Sequence, residues 1–147
     1  MIKHYLVSGL LALSFVSCYD NVISSIPDYP VQLQLNLTST YPTFKNSVNH
    51  FIIYDKKIRD IDFIGYGGII IYTGFNGEYN AYDMACPFEA KQNIRVYPNE
   101  LGQAVCEGCG SVFQIGDAYG IPKSGPATEV LKRYRTSLSG DYLNIFR

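Results

Sequence analysis

Three cysteines carry the densest chemistry in this sequence of 147 residues. Cys86 opens the triplet Cys86-Pro87-Phe88, and seventeen residues, Glu89 to Val105, separate that triplet from Cys106-Glu107-Gly108-Cys109. Thiols so spaced serve disulfide bonding, dithiol exchange, zinc binding or an iron–sulfur cluster. A thioredoxin-like dithiol belongs at a helix start, where its pKa falls. Here Cys106-x-x-Cys109 runs instead into Gly110-Ser111-Val112-Phe113-Gln114-Ile115, which reads as a strand. Zinc needs a fourth ligand beside three thiolates, and Glu89, Glu107 or a water would have to supply it. Three thiols also leave one over once two have paired.

The remaining donors are few. The chain has a fourth cysteine, Cys18, and two histidines, His4 and His50. Lys3 and His4 precede an apolar stretch, Tyr5 to Val16, which is too short to span a bilayer and suits a signal peptide. It ends in Phe15-Val16-Ser17-Cys18, similar to a bacterial lipobox, with Phe15 where that pattern prefers Leu. The resemblance implies cleavage after residue 17 and acylation of Cys18. The protein would then be exported and lipid-anchored to the cell envelope, at the inner or outer membrane. Residues 18–29 read as a tether and 30–147 as the domain, large enough for one core. Loss of Lys3 leaves eleven basic against thirteen acidic residues, with no basic run, which argues against a nucleic-acid partner. His50 would be the sole imidazole left. No Ser-His-Asp set, phosphate loop or carboxylate pair is visible, so the sequence does not read as an enzyme.

The elements that must hold the cysteines read as strands throughout. Val31 to Leu37 alternates apolar and polar, as a strand with one buried face does, and Pro42 closes it. Phe51–Tyr54 and the β-branched Ile69–Thr73 follow. Asn76-Gly77 predicts a hairpin turn into Glu78–Tyr82. Further strands are expected at Ile94–Tyr97, Gln103–Cys106, Val112–Ile115, Glu129–Arg135 and Tyr142–Phe146. The fold class is therefore all-β, a sandwich or small barrel. The thirteen tyrosines fit half-buried strand faces.

The cysteine loops resemble those of Rieske 2Fe–2S domains, which present Cys-x-His, then about fifteen to seventeen residues, then Cys-x-x-His. Phe88 stands where the first histidine would be and Cys109 where the second would be. After them, Gly110-Ser111-Val112-Phe113 resembles the family's Gly-Ser-x-Tyr/Phe. Gly120 through Gly125-Pro126-Ala127 resembles its glycine–proline loop, and Leu131 and Tyr134 fit the returning strand. The resemblance covers about residues 65–136. It implies a base β-sandwich built from the early strands and the last two, with a loop subdomain at about residues 84–127. It also implies that Ser111 faces the site, although the commoner job of a serine in such a loop is to satisfy backbone groups of the turn, while Phe113 lacks the hydroxyl of a family tyrosine.

The ligand set is incomplete for that family. Two thiolates and two imidazoles are needed, or four thiolates, and the exported chain owns three thiolates and one distant imidazole. The resemblance brings Cys86 near Cys106 or Cys109, where an oxidising compartment favours a disulfide. Such a bond closes a loop of about twenty residues, a contribution on the order of 3 kcal/mol. Two functions follow. One is a cofactor-free structural or interaction module, braced by a disulfide, whose loop tip meets an envelope protein. The other is an electron-transfer protein holding a non-standard 2Fe–2S cluster, or zinc, through Cys86, Cys106 and Cys109.

Overall fold

The computed structural model describes residues 24–117 and 119–147. The leader, Cys18 and the start of the tether lie outside the described residues. Among those described, no helix is long and apolar enough to cross a membrane.

Alternation drives the first strand, β1 (Val31–Asn36), where Val31, Leu33 and Leu35 are buried and Gln32 and Gln34 are exposed. Pro42 ends the extended run by opening a single helical turn, α1 (Pro42–Lys45), whose Phe44 is buried. Then come β2 (His50–Tyr54), the two-residue β3 (Phe63–Ile64), β4 (Ile69–Thr73) and β5 (Tyr79–Asp83). The middle of the chain forms β6 (Val96–Pro98), β7 (Gln103–Cys106), β8 (Val112–Gln114) and β9 (Ile121–Ser124). The last hairpin is β10 (Arg133–Ser139) with β11 (Tyr142–Phe146). Two antiparallel sheets result, a seven-stranded one ordered β2-β4-β5-β10-β11-β1-β3 and a four-stranded one ordered β6-β7-β8-β9.

The large sheet is thus made of the early strands and the last two, and it curls into a nearly closed barrel. The small sheet lies between the two cysteine loops and carries the second. The expected Glu129–Arg135 strand begins only at Arg133 and runs on to Ser139, because Leu131 turns inward, its N–H donating to Gly120 O at 2.9 Å. α1, β3 and β9 carry no period long enough to read from sequence.

β4 is buried along its whole length. Ile69 and Ile71 face the core inside the large sheet with Leu33, Leu35, Tyr134 and Leu143. Ile70 and Tyr72 face a second core with Tyr82, Met84, Cys86, Cys106 and Phe113. Side chains alternate across a strand, so one strand serves two cores. That second core is the floor under the cysteine loops.

The tether's last residues are held against the domain. Ile26 is buried, Ser25 donates its N–H and hydroxyl to the Glu129 carboxylate at 2.8 and 2.6 Å, and Lys132 Nζ reaches Ile26 O at 2.8 Å.

Candidate metal centre

The first loop leaves β5 through a polar node. Asp83 is fully buried and accepts four hydrogen bonds, from the N–H groups of Tyr66 (2.8 Å), Gly67 (2.9 Å) and Ala85 (2.7 Å) and from the Tyr134 hydroxyl (2.5 Å). A Cβ at Gly67 would sit 2.4 Å from Ala85 N, so only glycine lets this loop approach. The node fixes the backbone one residue before Cys86. The sequence does offer a signal for it, a lone acid in an otherwise apolar strand end, Ala81-Tyr82-Asp83-Met84-Ala85.

Both loops turn back on themselves in the same way. In the first, Cys86 N–H donates to Ile94 O at 3.1 Å and Ala90 N–H donates to Cys86 O at 2.8 Å. In the second, Cys106 N–H donates to Ser111 O at 2.9 Å and Gly110 N–H to Cys106 O at 3.1 Å. A hydrogen bond from Glu107 N–H to Arg95 O, 3.1 Å, ties the second loop to the strand returning from the first.

The turns bring Cys86, Cys106 and Cys109 together, with all three sulfurs within 4.8 Å of one another. Cys86 and Cys106 are buried and Cys109 is half-buried. Cys86 Sγ and Cys109 Sγ are 3.7 Å apart. The expected disulfide is not formed in this structure, since a bonded pair stands at about 2.05 Å and all three thiols are free. Burial pushes the Cys86 thiol up to about 12, against the pull of the Glu89 and Phe88 backbone N–H groups. Cys109 also pays for its burial, yet ends below the ordinary thiol range. The Ser111 hydroxyl and N–H and the two neighbouring thiols favour its thiolate.

Ser111 therefore does two jobs. It is fully buried, its Oγ lies 3.1 Å from Cys109 Sγ, and it accepts the Ala127 N–H at 3.0 Å. This joins the glycine–proline loop to the second cysteine loop. Phe113 is buried in the core below.

The other candidates lie apart. Phe88 is 54 % exposed and offers no lone pair. Glu107 is exposed, and Glu89 is half-buried with its carboxylate outside the three-sulfur group. His50 pairs with Thr73, at the opposite end of β4 from Ile69, the partner of Asp83. Four residues of strand place it about 13 Å along the sheet from the node, too far to be a ligand.

No family model matches the sequence, and no curated protein does. Among solved structures, a chain in the complex of reduced oxygenase and oxidized ferredoxin in carbazole 1,9a-dioxygenase is similar at 12% identity with a TM-score of 0.49. The match covers 77% of this chain and 99% of that one.

Proposed function

We propose that this chain is a non-enzymatic, lipid-anchored envelope domain of Rieske-like design in which Cys86, Cys106 and Cys109 hold one metal ion in place of a diiron cluster. The metal is a clamp between the two loops, and the tip they form is the surface offered to an envelope partner. The observation that carries this reading is the convergence of all three sulfurs on one point, from both loops.

Magnitudes favour a single ion. A tetrahedral centre with metal–sulfur bonds of about 2.3 Å has sulfur–sulfur edges of about 3.8 Å, and the Cys86–Cys109 separation is 3.7 Å. A two-iron cluster needs a separate ligand pair for each iron, whereas these donors form one set. The disulfide-braced module uses two of the three sulfurs and leaves the convergence of the third without a purpose. A cation also answers the energetics of the site, because a coordinated thiol gives up its proton and a divalent ion offsets most of the charge that three thiolates bring into the interior.

The test is metal analysis with a visible spectrum on the full chain purified from its envelope. About one zinc per chain, lost in Cys86→Ser and Cys109→Ser, supports the clamp. Two irons with acid-labile sulfide would replace it with the electron-transfer reading. Metal-free protein with a Cys86–Cys109 disulfide would restore the cofactor-free module.

A further inference from the structure

The two cysteine loops are local repeats of one another. In each, the N–H of the fourth residue after the leading cysteine bonds back to that cysteine's carbonyl, Ala90 to Cys86 and Gly110 to Cys106. In each, that fourth residue has a left-handed backbone, with φ of 50° at Ala90 and 72° at Gly110. Gly110 takes this conformation freely. Ala90 does not: among the described residues it shares a positive φ with one other non-glycine residue, Asn49. The strain at an alanine is about 1–2 kcal/mol. The turn is thus kept at a cost.

Counting from each leading cysteine pairs Cys86 with Cys106, Phe88 with Gly108, and Glu89 with Cys109. The third residue after the leading cysteine is the one that the second loop sends into the sulfur cluster. Its counterpart is Glu89, and Phe88 matches a residue that has no side chain. This accounts for the outward, donor-free Phe88 at a place where the Rieske pattern puts a ligand. On these grounds we propose that Glu89 is the fourth ligand, completing a centre of three thiolates and one carboxylate; the proposal rests on the metal-clamp reading above.

The surroundings of Glu89 fit that role. Its Oε1 lies 3.3 Å from where a Gly108 Cβ would be, so it already faces the second loop across a position kept free of side chain. Among the described residues its salt-bridge partner is Lys91, at 4.0 Å and largely exposed, a pairing too weak to lock the carboxylate. Three soft donors and one oxygen in a tetrahedral set suit zinc, with cobalt(II) as its spectroscopic stand-in.

The experiment compares the full chain with Glu89→Ala, Glu89→Cys and, as a control, Glu107→Ala. Zinc affinity is read by chelator competition, and coordination by cobalt(II) spectra and X-ray absorption on the zinc forms. Loss of an outer-sphere partner alone costs about 10–100-fold in metal affinity, so Glu89→Ala should weaken zinc binding by about tenfold or more while Glu107→Ala leaves it unchanged. Glu89→Cys should raise the sulfur count at zinc from three to four. Unchanged affinity in Glu89→Ala, or three sulfurs persisting in Glu89→Cys, overturns the assignment of Glu89 and leaves the three-thiolate clamp standing. Failure of the unmodified chain to bind zinc or cobalt overturns both.

Discussion

Asp83 is the residue whose replacement should most disturb the cysteine loops without touching a sulfur. Its Oδ1 accepts from Gly67 and Ala85, and its Oδ2 from Tyr66 and Tyr134. In Asp83→Asn the amide oxygen can keep the first pair. The amide NH2 then faces the Tyr66 N–H, donor against donor, while the Tyr134 hydroxyl can rotate to accept. One part-buried N–H is orphaned, at about 1–3 kcal/mol, and the surviving bonds lose their charge assistance, about 1 kcal/mol each. Relief from burying a charge offsets part of this, leaving a net loss of about 2–4 kcal/mol. For a domain of this size that is a fall in Tm of about 8–15 °C. Tyr134→Phe removes one bond to the same carboxylate and should cost about 1.5–3 kcal/mol. The two losses should not add, since both act through Oδ2. Urea unfolding followed by circular dichroism measures all three variants, and hydrogen exchange at Ala85 and Cys86 reports on the loop. A loss below about 1 kcal/mol in Asp83→Asn, or strict additivity with Tyr134→Phe, would refute the node as the loop's anchor.

Ser111→Ala strands the buried Ala127 N–H and should cost about 1–3 kcal/mol in urea unfolding. Gly125→Ala places a Cβ 2.5 Å from Ser111 Cα at a φ of +91° and should lose more than about 2 kcal/mol. Gly140→Ala, at φ +59° with open space around it, should lose only about 1 kcal/mol. The acid limb of stability should depend on Asp62. Burial raises its pKa, but the Arg59 side-chain and backbone donors outweigh that and hold it below the ordinary carboxylate range. A lowered pKa stabilises the fold above the unfolded value, about 3.9, and this support is lost as pH falls through the folded value. Wild type should therefore weaken below about pH 4, and Asp62→Asn should be less stable at pH 7 with a flatter acid limb in thermal melts.

The sequence alone was enough for the strands with a period and for the spacing of the thiols. Val31 to Leu37 alternates because one face meets water, and Ile69 to Thr73 is apolar throughout because both faces meet a core; each pattern is local. The shortage of nitrogen donors was also legible, since counting histidines needs no coordinates. What the chain could not reveal one residue at a time was decided by contacts far apart in sequence. β3 exists only because Val31 and Gln32 pair with Ile64 and Phe63. Asp83 is an anchor only because Tyr66, Gly67 and Tyr134 reach it from elsewhere in the chain. The correspondence of Glu89 to Cys109 emerges from two backbone turns of the same shape, a likeness held in φ angles and carbonyl partners. An alanine and a glycine share it without resembling each other as letters.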